Sequence, residues 1–315
     1  GVLGISYKVN YYDYSINVYD KTGRLNKIIQ PDGFKAAYPA NPDTLSITSV
    51  PSYLNSANFS TSVSLNTIGQ VIQSTSPDEG TIKFAYRKDG QIRYSQNAKQ
   101  AQLNQISYTN YDEYARSIES GVIQGSVTIW NDALADVDAN ITTSSVQSLP
   151  KSGRLFTVYD YIDNDTQLSI ILPISLNLSV LAPSYIQENL SGSVAVTYSE
   201  SYINIGTIGS ITWYSYDIYG RSNWIVQYNE GLGAKTVDYT YDYKGNVGQV
   251  IYQKDIVNQK FTHQYTYDSN NKVIKVETAT ENNPFVTEAE YSYYKSGELK
   301  RTNIGQGLQG LDYVY

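Results

Sequence analysis

The residue types that most often carry out chemistry are few in this chain, and they do not converge. His263 is the single histidine. It falls in phase with Phe261, Tyr265 and Tyr267, every second residue, which places it in the aromatic row of a strand rather than at a catalytic centre. The serines of "GIS" and "GSV" lack the glycine-flanked elbow that exposes a nucleophile. The densest acidic stretch, "YDYIDND", holds Asp160, Asp163 and Asp165. An oxygen-rich loop can take Ca²⁺, but this one lacks the D-x-D-x-D-G spacing and reads as a solvated loop. Asp78 and Glu79 in "SPDEG" are adjacent on a turn and diverge, whereas hydrolase carboxylates face each other across roughly 5–10 Å. With no cysteine there is no thiol nucleophile, thiolate metal site or disulfide. No catalytic residue, cofactor or metal is assigned, and the chain is expected not to be an enzyme.

What is abundant is tyrosine: 32 Tyr against 6 Phe in 315 residues. Such rings suit positions that are apolar at the body and polar at the tip, and Tyr, Thr, Val and Ile all favour strands. A net charge of −7 with only 23 Lys and Arg argues against a nucleic-acid partner. The most apolar run, Leu168 to Pro183, is too short to span a membrane as a helix, so no membrane insertion is expected. From Ile174 its apolar residues alternate with Ser175, Asn177 and Ser179, the period of a strand with one wet face. The chain has no Met, even at position 1, and reads as an internal piece or a processed product of a longer protein.

The tyrosines belong to a repeat. "YSYDIYGRS" from Tyr214 returns as "YTYDYKGNV" from Tyr239, "YTYDSNNKV" from Tyr265 and "YSYYKSGEL" from Tyr291. Their second tyrosines, Tyr216, Tyr241, Tyr267 and Tyr293, are 25, 26 and 26 residues apart. Earlier copies are "VYDKTGRL" from Val18, "AYRKDGQI" from Ala85 and "NYDEYARS" from Asn110; "SLNTIGQV" from Ser64 has lost its tyrosine. "LDYVY" at the end looks like the first strand of another copy. Ahead of each turn the aromatics alternate strictly, as in Val237, Tyr239 and Tyr241, so they share one side of a strand. Asp then starts a tight turn and Gly, three positions on, accepts the left-handed backbone that closes a bulged hairpin.

The residues expected to carry the repeat are Tyr19, Asp20 and Gly23; Tyr86 and Gly90; Tyr111 and Asp112; Tyr216, Asp217 and Gly220; Tyr241, Asp242 and Gly245; Tyr267, Asp268 and Asn271; and Tyr293 with Gly297. Asn271 stands where Gly is usual, and Asn is the common second choice for a left-handed residue. Ala115 stands there after Asp112, so strain or a different turn is expected and that hairpin should be the irregular one. A lone hairpin is marginal in water, so the copies must pair side by side into one extended antiparallel sheet, with the tyrosines forming a ladder. Regular copies occupy 1–120 and 206–315. The stretch 121–205 reads as irregular β structure, with strands at "GSVTIW" and "SVAVTY", inside a single 1–315 array. Trp213 and Ile211 point away from the tyrosines, to the face where an added partner would dock.

This pattern resembles the RHS/YD-repeat family, whose hallmark is Tyr-Asp followed by Gly-Arg, here Tyr19-Asp20 with Gly23-Arg24 and Tyr216-Asp217 with Gly220-Arg221. "SPDEGTIKFAYRKDGQIRYSQNAKQ", Ser76 to Gln100, looks like the form found in large RHS proteins of the Bacteroidota. The resemblance implies an all-β fold whose sheet coils into part of a hollow shell, or β-cocoon. In the toxin members such a shell encloses a C-terminal toxin domain released by autoproteolysis, while teneurins use a related shell in adhesion. It further implies a secreted or cell-surface location. The partners it implies are the rest of the shell, an enclosed toxin domain, and a type IX secretion translocon with its lipoproteins. The other class kept open is an adhesion or carbohydrate-binding module of the same repeats, because rows of exposed rings stack on sugars.

Overall fold

The computed structural model describes residues 15–33, 59–160, 173–200 and 207–315. It is an all-β protein whose 19 described strands assign to one antiparallel sheet. The chain separates into two compact units, Gly1–Arg154 and Leu155–Tyr315.

In the first unit the strands run β1 (Ile16–Tyr19), β2 (Leu25–Ile29), β3 (Ser60–Leu65), β4 (Val71–Ser76), β5 (Gly80–Tyr86), β6 (Ile92–Gln96), β7 (Gln105–Tyr111) and β8 (Ser117–Gln124). Each pairs antiparallel with the next. A short helix, α1 (Ala98–Gln102), joins β6 to β7 and opens on a capping box made by Asn97 and Gln100. After β8 the chain forms α2 (Ile129–Ala135) and a 3₁₀ turn at Val146–Ser148 before β9 (Lys151–Tyr159). This stretch covers one sheet face: Ile129, Ala133 and Val146 bury against Ala85, Tyr94, Ile106, Tyr108 and Ile123.

The strand expected at "GSVTIW" is instead a turn that leads into α2 at Ile129. Val127, Thr128 and Ile129 have strand propensity, but Ile129 and Ala133 are four apart and share one helical face, and burying that face decides the outcome. Gly125 allows the close approach, since a side chain there would strike Ile129.

The second unit is a meander of its own, through β10 (Val194–Glu200), β11 (Ile208–Tyr216), β12 (Ser222–Asn229), β13 (Gly233–Tyr241), β14 (Val247–Tyr252), β15 (Phe261–Tyr267), β16 (Val273–Thr280), β17 (Val286–Tyr293), β18 (Leu299–Ile304) and β19 (Gln309–Asp312). "SVAVTY" supplies β10 as expected. The strand expected from Ile174 is instead a 3₁₀ turn, Ile174–Leu176, and the short helix α3 (Leu178–Leu181). Pro173 precedes the first turn, and Asn177, at an extended φ/ψ, separates it from the second. Leu178, Leu181 and Ala182 then fall on one side of the turn and pack on the sheet.

That segment changes the reading of the Trp213 face. Ala182, Tyr185 and Leu190 cover Ile211, Trp213, Trp224 and Val226, and Trp213 is only 2% exposed. Tyr185 meets Trp224 edge-on at 5.1 Å. Gln187 donates its side-chain amide to the carbonyls of Ala195 and Tyr214, and Asn189 to that of Tyr216. The face expected to receive a partner is closed by the chain itself. Replacing Trp213 with Ala should cost about 3–5 kcal/mol of stability. Urea unfolding followed by circular dichroism would measure it, with a loss under 1 kcal/mol as the contrary result.

Candidate functional site

The repeat residues assemble in the same way from copy to copy. Tyr19, Tyr86, Tyr111, Tyr216, Tyr241, Tyr267 and Tyr293 are each the last residue of a strand. The next residue opens the turn. The Asp217 N–H donates to the Arg221 carbonyl at 2.9 Å, and the Gly220 N–H donates back to the Asp217 carbonyl at 3.0 Å. Equivalent pairs close the turns at Asp20, Asp112, Asp242 and Asp268. In each of these turns one carboxylate oxygen accepts two further backbone N–H groups, those two and four residues on. Asn66 does the same in the copy that lacks a tyrosine, accepting from Ile68 and Gln70.

Left-handed backbone occurs three residues past the turn start: φ is +81° at Gly23, +89° at Gly90, +77° at Gly220, +92° at Gly245, +108° at Gly297 and +62° at Asn271. Ala115 also adopts it, at +63°, and its turn keeps every bond of the others. The hairpin expected to be irregular is regular. The bonds to Asp112 outweigh a conformation that disfavours an L side chain by about 1–2 kcal/mol.

After each turn the strand register slips by one residue beside the tyrosine, so that Tyr241 faces Val247 and Tyr267 faces Val273. Such a bulge withdraws one residue from the pairing pattern. The carbonyl at that point is used by the following copy. Tyr86 Oη donates to the Val71 carbonyl (2.9 Å), Tyr111 to Ile92 (2.8 Å), Tyr241 to Ser222 (2.8 Å), Tyr267 to Val247 (2.9 Å) and Tyr293 to Val273 (2.8 Å). Tyr216 reaches the Val194 carbonyl at 2.9 Å. Burial raises all six hydroxyls above the ordinary tyrosine pKa, so each remains a donor at neutral pH. The expected ladder of rings is thus joined by hydroxyl-to-backbone bonds, each worth about 0.5–1.5 kcal/mol net.

Sequence reasoning missed a second ladder, made by the residue four past the turn start. Arg24, Arg116 and Arg221 each pair through Nε with the Asp that opens their own turn, at 3.0, 2.7 and 2.6 Å. This position also reaches the next copy. Arg24 donates to the Asn66 carbonyl, Gln70 to Gly90, Gln91 to Ala115 and Lys272 to Gly297, while Asn246 donates to the Asn271 side chain. Arg221 lies 4.2 Å from the centre of the Tyr241 ring. The recurring Gly-Arg in the sequence is its visible trace.

The other candidates stand apart from one another. His263 is half-buried among Tyr252, Phe261 and Tyr265, stacked parallel to Tyr265 at 6.2 Å. Asp160 accepts the Gly192 N–H at 2.6 Å; Asp163 and Asp165 lie outside the described residues. Asp78 and Glu79 are exposed on the turn between β4 and β5. Among the described residues, no group of three or more His, Asp or Glu stands close enough to hold a metal, and no helix is long and apolar enough to cross a membrane.

No protein-family model matches the sequence, and no curated protein matches it. Among solved structures the chain is similar to the Photorhabdus luminescens Tc holotoxin pore, at 13% identity and a TM-score of 0.35, and to the TcdB2-TccC3 crystal structure, at 14% and 0.33. Each likeness covers 92% of this chain and 14% of the other. A porin-like protein from Bacteroides uniformis is similar at 10% identity and a TM-score of 0.28, over 72% of this chain and 85% of its own. Superpositions this loose transfer neither a site nor a function.

The turn carboxylates give a pH test. For Asp217 burial pushes the carboxyl up, but the Arg221 side chain and the backbone N–H groups of Arg221 and Tyr219 outweigh it and hold it below the usual range. Asp112 follows the same balance. For Asp242 the largest effect is the Asn246 side-chain bond, again lowering it. A carboxyl depressed on folding stabilises fully above its unfolded pKa of about 3.9 and loses that contribution as pH falls through the lower folded value. Thermal midpoints of the wild type should therefore fall as pH drops below about 4. Asp217→Asn keeps the turn, as Asn66 does, and should show a shallower fall; parallel curves for the two proteins would contradict this.

Proposed function

We propose that this chain is a non-enzymatic wall segment of an RHS-type shell, one that is secreted and encloses or presents a toxin or effector domain. The observation that carries the reading is how the repeat spends its functional groups. The tyrosine hydroxyls go to backbone carbonyls of the preceding hairpin, and the aspartates go to their own turns. Such a design makes each hairpin depend on its neighbour and extends a sheet by copying one unit. The Tyr-Asp and Gly-Arg hallmark at Tyr19–Arg24 and Tyr216–Arg221, with tyrosine turns recurring every 25 or 26 residues from Tyr216 to Tyr293, supports the RHS assignment.

Electron-microscopic imaging of the full polypeptide that contains this segment is the test. A closed hollow particle with internal density is expected; a solid globule or an open rod would overturn the proposal.

One observation favours the second reading, a glycan-binding module. The turn-tip rings Tyr219 and Tyr243 are 75% and 94% exposed, each with a cation beside it. Polysaccharide binding by the isolated chain, lost on Tyr219→Ala with Tyr243→Ala, would select that reading.

A further inference from the structure

Beneath the α2 segment of the first unit lies a polar cluster that the hairpin ladder does not use. Asn110 on β7 and Glu119 on β8 are cross-strand partners, 1% and 9% exposed. Glu119 Oε2 accepts the Asn110 side-chain amide at 3.0 Å. Its Oε1 accepts the Tyr108 hydroxyl at 2.7 Å and Arg154 Nε at 2.9 Å. Arg154 Nη2 adds an ion pair at 2.8 Å. The carboxylate's charge is thus already met by a guanidinium. Lys151 is a second cation on the same oxygen, farther off at 3.7 Å, with its side chain 15% exposed and its ammonium 5.1 Å from the centre of the Tyr108 ring. Gln147 takes the other Asn110 amide proton at 3.0 Å and donates to Tyr94 Oη at 3.1 Å. The Asn110 carbonyl oxygen is buried with no hydrogen-bond partner. A buried acceptor left unpaired is costly and asks for an explanation.

We propose that Lys151 and Asn110 react to form a side-chain amide, with Glu119 carrying the protons. One carboxylate lies beside both reacting groups, hydrogen-bonded to the Asn110 amide at 3.0 Å and ion-paired with the Lys151 ammonium at 3.7 Å; the site is shielded by aromatic rings and the α2 segment, and the amide to be attacked is held in place by two bonds from its nitrogen. Burial lowers the Lys151 pKa, against the raising effect of Glu119, which brings the neutral amine closer. Burial alone would raise the Glu119 carboxyl. The bonds from Tyr108, Asn110 and Arg154, with the charge of Lys151, bring it below the usual range, so it starts as a proton acceptor.

In the reaction Glu119 takes a proton from the Lys151 ammonium, and the freed Nζ attacks Asn110 Cγ. The new Nζ–Cγ bond forms, the Cγ–Nδ2 bond breaks, and Nδ2 leaves. The lysine nitrogen gives up two protons, both relayed through Glu119, and the asparagine nitrogen departs with them as ammonium. Nothing is oxidised or reduced. The product links β7 to β9 across 41 positions (151 − 110) in a chain with no cysteine to make such a staple otherwise.

The test is the intact mass of the purified, folded 315-residue chain, followed by peptic digestion and sequencing of the peptides by mass spectrometry. The expected result is a mass below that of the sequence by one ammonia, with a branched peptide joining the Asn110 and Lys151 segments. Lys151→Arg should fold, keep the full sequence mass and yield no branched peptide. A folded wild type at full mass would overturn the proposal. So would an ammonia loss that persists in Lys151→Arg or comes without a branched peptide, since a cyclic imide elsewhere loses the same mass. Full mass in Glu119→Gln is expected, and a cross-link formed without that carboxylate would refute its role.

Discussion

The fold depends on one hydrogen bond made again and again: a tyrosine hydroxyl at the end of one hairpin given to the backbone carbonyl at the bulge of the hairpin before it. The tight turn requires the bulge, and the bulge takes a backbone group out of ordinary strand pairing. Leaving a half-buried carbonyl unpaired would cost about 1–3 kcal/mol. The repeat meets that cost with the next copy, as in Tyr267 to Val247 and Tyr293 to Val273. The defect that lets each hairpin turn tightly is also what fastens it to its neighbour. Phenylalanine would preserve the ring and lose the link, which is why the ladder positions Tyr86, Tyr111, Tyr216, Tyr241, Tyr267 and Tyr293 need a hydroxyl.

A sheet built this way has two unlike faces, and each unit closes one of them locally with chain that leaves the repeat. In the first unit α2 and the turn after it lie over Tyr94, Ile106 and Ile123. In the second, the stretch around Ala182, Tyr185 and Leu190 lies over Ile211, Trp213 and Trp224. These covers hold the largest buried residues of each unit. From β14 onward fewer side chains are fully buried, and stability there rests more on the two ladders and on strand pairing. The tyrosine-proximal row of β17, Ala289, Tyr291 and Tyr293, is half-buried while Glu288, Glu290 and Ser292 on its other face are exposed.

The strands of the repeat were legible in the sequence because two local signals agree there: period-two alternation, and a turn whose Asp and Gly have separate physical tasks. Asn271 was legible for the same reason. Ala115 was misread, because its strain was weighed alone when four other bonds hold the turn. The covering segments were misread because their propensities point to strands. Ile129 at the start of α2, and Leu176, Leu178 and Leu181 in the second cover, sit in helical turns because of what they pack against, and that partner surface lies in other strands. Long-range links such as Arg24 to Asn66, 42 residues apart, leave a compositional hint in the Gly-Arg motif but no local period to read.

The most direct test of the ladder is hydrogen exchange, resolved by peptide, in a Tyr267→Phe variant. The hydroxyl of Tyr267 serves the Val247 carbonyl, so its loss should speed exchange in the preceding hairpin, β13 and β14, as well as in its own. Faster exchange confined to β15 and β16, with residues 237–252 unchanged, would contradict the claim that each hairpin is held by the next.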